Sequence, residues 1–276
     1  MSRSKDLVSV IITTKDEESV IRRLIRSIKR QTYKYKEVIV VDNSSEDKTT
    51  EIAREMGAKV YSFGPERSRQ RNFGAKVSKG KYLLVLDADM ELSSKVIEDC
   101  VNKVVKEKAI GVVIPEESKW VNFWGQVKAF ERSFYNEKGD PITDAARFFS
   151  KKAFNGVGGY DESITGPEDW DLPDRLRERG FKITRSSEKI FHHEQDLSLT
   201  FIFKKKFYYG LHAHKYLKKH GIPILGPKTV YFLRPLFYKS WPKLLKHPIL
   251  SFALTTMLFV ELIGGGLGYI VGRMRK

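Results

Sequence analysis

The sequence holds one cysteine, Cys100, in 276 residues. A lone thiol excludes an internal disulfide framework and suits a reducing compartment. Cys100 falls among Val96, Ile97, Val101, Val104 and Val105, the apolar side of a helix, so it reads as a small packed hydrophobe. Acidic residues are missing from one stretch: from Leu197 to His247 there are eleven Lys and Arg and no Asp or Glu. Of the net charge of +16, eleven charges fall there and two in the tail from Pro248, which leaves +3 for the first 196 residues. The basicity thus belongs to one segment, and the rest is nearly balanced. No G-x-x-x-x-G-K-[ST] occurs, and no G-x-G-x-x-G follows a strand, so P-loop and dinucleotide-binding readings lose their main support. No His/Cys spacing marks a zinc site. No secretory leader is read at the start, where M-S-R-S-K-D-L runs straight into a strand.

What is present centres on Lys81 to Glu91, K-Y-L-L-V-L-D-A-D-M-E. Tyr82, Leu83, Leu84, Val85 and Leu86 read as a strand buried on both faces, as in the middle of a parallel sheet. It stops in Asp87-Ala88-Asp89. Ligands of open α/β sheets bind beyond the carboxyl ends of the strands. Two carboxylates this close repel unless a cation lies between them, and a divalent ion is the usual answer. The plainer alternative is that they cap the turn into the next helix.

The preceding chain alternates strand and helix. Leu7–Ile12 is a strand, and Thr14-Lys15-Asp16-Glu17 has the spacing of a capping box. Val20, Ile21, Leu24, Ile25 and Ile28 then recur at helical spacing. Glu37–Asp42 is a second strand, Asn43-Ser44-Ser45 a turn that caps a helix ending at Gly57, and Ala58–Phe63 a third strand. A basic helix from about Glu66 carries Arg67, Arg69, Arg71 and Asn72. This alternation predicts an α/β fold with a mostly parallel, doubly wound sheet. Right-handed crossovers bring Thr13-Thr14, Asp42-Asn43 and Asp87–Asp89 to one edge, a nucleotide site by analogy with other such sheets.

Three blocks in order, S-V-I-I-T-T-K-D-E-E, V-I-V-V-D-N-S-S-E-D-K-T and R-Q-R-N-F-G-A-K-V-S-K-G-K-Y-L-L-V-L-D-A-D, resemble the family-2 glycosyltransferases of GT-A fold. The membrane-associated, dolichyl- or polyprenyl-phosphate sugar transferases are the kind the chain most resembles. The resemblance implies that Thr14, Lys15 and Glu17 line the base and ribose and that Asp42 hydrogen-bonds the base. It implies further that Arg71 sits near the nucleotide or its diphosphate, with Asp87, Ala88 and Arg147 also on the nucleotide-sugar. Asp89 would hold a metal, Mg2+ or Mn2+, on the diphosphate. For Glu17 a capping role stands beside the ribose contact. Thr13 and Lys15 stand where Pro and Tyr are common in the family, and Gln70 replaces the small residue that usually precedes Arg-Asn.

Further on, Gly111–Pro115 is a strand at the far side of the sheet, and Arg147-Phe148-Phe149 a short strand. Trp120, Phe123, Trp124, Val127, Phe130 and Phe134 form an aromatic stripe at helical spacing, core or lipid site. Gly166-Pro167-Glu168-Asp169-Trp170-Asp171 opens a helix running to Gly180. Acids there complement the helix dipole. After G-G-Y-D-E, however, Glu168-Asp169 again resembles the family, which implies Asp169 as general base with Glu168 as the second candidate. Pro173 would start that helix or kink it. Ile190-Phe191-His192-His193-Glu194 follows, and the family places a histidine here near the metal or diphosphate, His192 or His193.

Lysines interleaved with Phe, Tyr and Trp suit an anionic membrane surface or a nucleic acid. Ile249–Val271, mostly apolar with the single charge of Glu261, separates the two in favour of a membrane and against nucleic acid. It is long enough to cross about 30 Å of hydrocarbon as a helix; an interfacial helix or a re-entrant pair broken at Gly264-Gly265-Gly266 is the alternative. Gly264, Gly268 and Gly272 lie four apart and would serve helix–helix packing, and through it a homo-oligomer. Five basic residues precede the run and three follow, which points the preceding part to the cytoplasm.

The expectation is therefore a nucleotide-sugar-binding half over 1–108, an acceptor-binding half over 109–196, a basic juxtamembrane segment over 197–247, and a single membrane helix with a short tail over 248–276. The resemblance implies an inverting, metal-dependent transfer of a hexose from a UDP- or GDP-sugar to a lipid-linked or glycan acceptor. The competing class is a membrane-tethered binding module without catalysis. A processive synthase is disfavoured, since no Q-x-x-R-W follows Glu168-Asp169.

Overall fold

The structure, a computed structural model, describes residues 5–140, 142, 144–193 and 196–274. Glu194 and the basic tail residues Arg275 and Lys276 lie outside the described residues. The chain begins with β1 (Val8–Thr14), α1 (Ile21–Lys29), β2 (Lys36–Asp42), α2 (Thr49–Glu55), β3 (Lys59–Ser62) and α3 (Arg67–Val77). It continues with β4 (Tyr82–Asp87), β5 (Met90–Leu92), α4 (Val96–Glu107), β6 (Gly111–Val113), β7 (Glu116–Lys119) and α5 (Phe123–Lys138). Then come β8 (Ala146–Ser150), α6 (Lys151–Gly156), α7 (Glu168–Glu178), β9 (Ile183–Arg185) and β10 (Ile190–His193). The last helices are α8 (Leu199–Lys219), α9 (Pro235–Lys239), α10 (Trp241–Lys246) and α11 (Pro248–Met274).

Two compact units form, and they interleave along the chain. One comprises residues up to Glu116, Ala145–Glu162 and Glu168–His192; the other Glu117–Asp144, Ser163–Pro167 and the chain from His193.

The first unit is an α/β sheet of seven strands in the order β3-β2-β1-β4-β8-β6-β9. β3, β2, β1 and β4 are parallel, as their unbroken apolar runs predict. β8 enters antiparallel between β4 and β6, so the sheet is mixed on that side. Val10 and Ile12 pack to one face with α1 and α4, and Ile11 to the other with Ala75 of α3, a strand covered on both sides. Cys100 is buried in the first of these layers, as expected. Gly74 lets α3 lie directly on the sheet: a Cβ there would come 2.5 Å from Ile11 Cγ2. That close approach carries the side chains of the preceding turn to the sheet edge.

The second unit is helical. Val127, Phe130 and Phe134 of α5 pack with Ile202, Phe237, Ala253, Leu254, Met257 and Leu258 in a separate apolar core. The aromatic stripe therefore divides, since Trp120 and Phe123 are half exposed while Phe130 and Phe134 are buried. The glycine stripe meets α8 of the same chain, which corrects its expected use in a homo-oligomer. A Cβ on Gly264 would lie 2.7 Å from the carbonyl oxygen of Phe203, on Gly268 2.1 Å from that of Phe207, and on Gly272 2.0 Å from that of Leu211. Backbones this near leave no room for another helix on that face.

Candidate functional site

The parallel register sets Thr14 beside Asp42 and Thr13 beside Asp87, so the carboxyl ends of β2, β1 and β4 are level. The Thr14 hydroxyl donates to Asp42 Oδ1 at 2.7 Å, and Asp42 also accepts from the Ser45 amide at 2.8 Å and the Ser45 hydroxyl at 2.6 Å. The expected capping box does not form. Thr14 ends its strand with its hydroxyl committed to Asp42, and α1 starts only at Ile21 with no side-chain cap. The turn after β2 likewise caps nothing through Ser45; Asp47 accepts from the Thr49 amide at 2.9 Å instead. Lys15 Nζ donates to the Ser44 carbonyl at 2.7 Å, which closes the loops after β1 and β2 on each other.

Glu17, freed of a capping duty, has its carboxyl pushed up to about 7, by burial first and then by the negative charges of Asp89 and Asp87. A carboxyl so placed gains from any cation that arrives beside those aspartates.

Helix α3 supplies the side chains that organise the edge. Gln70 Nε2 donates to the carbonyls of Val41 at 2.7 Å and Thr14 at 3.1 Å, a strut across the ends of β2 and β1. Arg71 is fully buried; it donates to Asp87 Oδ1 at 2.9 Å through Nη2 and to Asp169 Oδ1 at 2.6 Å through Nη1. It also lies over the Tyr160 ring at 5.0 Å. Arg67, one helical turn earlier, pairs with Glu168 Oε1 at 2.9 Å. Arg147 of β8 reaches Asp87 Oδ2 at 3.5 Å and donates to Glu116 at 2.5 Å. Burial alone would raise the Asp87 carboxyl, but Arg71 and Arg147 outweigh it and hold Asp87 well below the usual carboxylate range.

Glu168 and Asp169 occupy the first turn of α7. The helix runs on through Pro173, which neither starts nor ends it. The two acids differ in access: the Glu168 side chain is 1 % exposed and the Asp169 side chain 22 %. Burial raises the Glu168 carboxyl in spite of Arg67. Asn72 pins the G-G-Y-D-E turn beneath them, donating to the Tyr160 carbonyl and accepting from its amide, both at 2.9 Å. Arg175 of α7 donates to the carbonyls of Val157 and Gly159, each at 2.6 Å.

Asp89 follows β4, and β5 beyond it pairs antiparallel with β10, Met90 opposite His192. His192 Nε2 thereby comes 3.5 Å from Asp89 Oδ2, which singles out His192 over His193 as the histidine beside Asp89. Among the described residues no group of three or more His, Cys, Asp or Glu is placed to hold a metal ion. The Asp89 carboxylate is nevertheless a donor that suits Mg2+ or Mn2+ when the ligand's own oxygens complete the shell, and the His192 imidazole beside it favours the transition metal Mn2+ of the two. Ala88 is buried among apolar side chains, so any ligand contact there would be through its backbone.

The edge thus gathers Thr14, Lys15, Glu17, Asp42, Arg71, Asp87, Asp89, Arg147, Glu168, Asp169 and His192 in one unit. Reading the sequence missed the site roles of Arg67, Gln70 and Tyr160. For Arg67 a signal existed, since it lies four residues before Arg71 and so shares its helix face.

Residues 9–155 match the model of the family described as Glycosyl transferase family 2. An uncharacterized glycosyltransferase of Methanocaldococcus jannaschii is 27 % identical over 260 residues, 85 % of this chain and 86 % of that protein. The 4,4'-diaponeurosporenoate glycosyltransferase of Staphylococcus haemolyticus is 38 % identical over 96 residues, 32 % of this chain and only 25 % of that protein's length. Among solved structures, a mannosyltransferase from Pyrobaculum calidifontis, in complex with GDP-Man and Mn2+, aligns with a TM-score of 0.69 at 16 % identity, over 97 % of this chain and 88 % of that one. At that identity the likeness shows the fold, which is GT-A-like.

Proposed function

Because the chain belongs to glycosyl transferase family 2 and is a glycosyltransferase, we propose that it moves a hexose from a nucleoside-diphosphate sugar to a lipid-linked or glycan acceptor at a membrane, with inversion at the anomeric carbon. The observation that carries this reading is the fully buried Arg71, which ties Asp87 at the donor edge to Asp169 at the head of α7. Asp42 and Thr14 hold the base, Glu17 and Asp87 the ribose, and Lys15 and Arg147 steady the loops and carboxylates around them. Asp89 and His192 would hold Mg2+ or Mn2+, which when bound would supply charge neutralisation for the leaving diphosphate. The cation bound with GDP-Man in the Pyrobaculum calidifontis mannosyltransferase supports that cofactor.

Asp169 is the general base. Its greater exposure supports it over Glu168, which Arg67 holds as a buried anchor. As the acceptor oxygen forms its bond to the anomeric carbon, Asp169 takes the acceptor's proton, and the bond from that carbon to the diphosphate breaks. The nucleoside diphosphate leaves on the opposite face. Arg71 serves as the fixed positive charge between donor and base, preorganised before either substrate arrives.

The membrane attachment is supported by α11, one helix long and apolar enough to cross a bilayer by length and composition, and by the basic segment before it. The α/β unit then faces the cytoplasm. A screen of UDP- and GDP-sugars with Mn2+ tests the donor class, and Asp169→Asn tests the chemistry. The variant should keep donor binding while transfer falls by about 10²–10⁴-fold, the usual worth of a positioned base. Transfer at the parent rate places the base elsewhere.

A further inference from the structure

Glu261 stands at the middle of α11 and is 4 % exposed. Its carboxylate is 3.2 Å from Lys128 Nζ of α5 and 3.1 Å from Lys206 Nζ of α8, and Lys128 also pairs with Glu131 at 2.6 Å. Along the second half of α11 the backbone presses on α8, Gly264 at Phe203, Gly268 at Phe207 and Gly272 at Leu211. Along the first half Ala253, Leu254, Met257 and Leu258 fill the core with α5. One whole face of α11 is therefore committed to neighbours that carry charge. A helix crossing the bilayer would draw Lys128, Glu131 and Lys206 to its midplane with Glu261, the most costly depth for ionised groups.

The opposite face is bare and apolar. Ile249, Phe252, Phe259, Ile263, Leu267, Ile270 and Met274 fall on it at 40–78 % exposure, three or four residues apart save for the seven from Phe252 to Phe259, where Thr255 is exposed between them. On the outer side of α8, Phe201 and Tyr208 are exposed alongside Lys204 and Lys205. The segment around these helices, Leu197–His247, holds eleven cations and no acid. An apolar stripe on a body of one charge sign fits an anionic lipid surface, which offers both acyl chains and negative headgroups.

We propose that α11 lies in the plane of an anionic membrane surface, its Ile249–Met274 stripe sunk at the acyl boundary and its Glu261 face clamped by α5 and α8. This rests on the membrane attachment proposed above and replaces the crossing helix with an in-plane one. The two ends of α11 are then on the same side of the bilayer.

The full-length chain is synthesised in the presence of sealed phosphatidylcholine vesicles containing phosphatidylglycerol, with Lys246→Cys or Arg273→Cys introduced singly, exposed positions at the two ends of α11 that lie outside the apolar stripe. Cys100 is fully buried, so each variant presents one accessible thiol to a membrane-impermeant maleimide. In-plane placement makes both positions label without permeabilisation, and binding to pure phosphatidylcholine vesicles at least tenfold weaker. Labelling of one end only after permeabilisation overturns the in-plane helix while keeping the membrane reading. A chain that fails to sediment with either vesicle, as a monomer or as a dimer closed over this stripe, overturns the membrane reading itself. A Phe252→Ser, Phe259→Ser, Ile263→Ser variant should lose vesicle binding at least tenfold with an unchanged melting curve, since its three side chains contact solvent; full retention of binding assigns the affinity to charge alone and overturns the stripe.

Discussion

The two units each bury an ion cluster, and the clusters are opposites. In the α/β unit a fully buried cation, Arg71, serves carboxylates at the surface, Asp87 and Asp169 being 19 % and 22 % exposed. In the helical unit a buried carboxylate, Glu261, serves amines at the surface, Lys128 and Lys206 being 21 % and 22 % exposed. The buried member fixes geometry, and the exposed members decide what the surface can meet. In the proposed function the carboxylates held by Arg71 would meet the donor's ribose and the acceptor's proton, whereas lysines held by a glutamate suit anions. A buried charge with partly exposed partners thus presents acidic side chains in one unit and a basic surface in the other.

The largest effect that separates the two is catalytic. Asp89→Ala should cut Mn2+-dependent donor turnover by about two orders of magnitude or more, the several kcal/mol a bound cation supplies to a leaving diphosphate. Glu261→Gln should leave that turnover near the parent value. If Asp89→Ala turns over normally, or Glu261→Gln abolishes turnover in detergent solution, the division of labour between the clusters is wrong.

Stability gives a smaller contrast. Arg71→Met leaves Asp87 and Asp169 without their buried guanidinium and Glu168 with Arg67 alone, and removing the buried member of such a cluster costs about 3–5 kcal/mol. Glu261→Gln frees lysines that are already partly in water, so its cost should stay within about 1–3 kcal/mol. Urea unfolding of both variants checks the order, and the reverse order would make Glu261 the more critical buried charge. The glycines repeat the test on packing. Gly268→Ala drives a methyl into the Phe207 carbonyl, and overpacking against backbone costs about 1–3 kcal/mol. Gly74→Ala meets the Cγ2 methyl of buried Ile11, a side chain rather than backbone but a β-branched one that turns little, and should cost a similar amount, about 1–3 kcal/mol.

The parallel strands were legible because their signal is local: V-I-V-V-D and K-Y-L-L-V-L-D are apolar runs closed by an acid, and both became strands ending at the site edge. Glu168-Asp169 was legible for the same reason, as the head of a helix. The misreadings involve partners far away in sequence. The Thr14 hydroxyl, assigned to its own helix, is taken by Asp42 across the sheet. Arg71 and Asp169 are 98 residues apart, so no spacing rule pairs them. The glycine stripe of α11 was correctly seen as a packing surface, but a periodic stripe does not say which helix it packs on, and α8 of the same chain has it.

The finest distinction concerns Glu17, whose neighbours Asp87 and Asp89 belong to the acidic cluster. Its carboxyl is raised from 4.5 to about 7 in the folded chain. Between those values the folded state retains a proton that the unfolded chain has lost, so stability falls as pH rises through the window. Below pH 4.5 both states are protonated and the penalty vanishes; above about 7 both are ionised and it is constant. Relative to Glu17→Gln, which titrates nowhere in this range, the parent should therefore lose ground steadily from pH 4.5 to 7 in metal-free urea titrations. Burial is the first cause of the shift and the Asp89 charge the second, so Asp89→Asn should narrow the window without closing it. A parent-to-variant difference that stays flat across the window would mean that Glu17 is solvated like an ordinary surface carboxylate, and that the acidic cluster ends at Asp87 and Asp89.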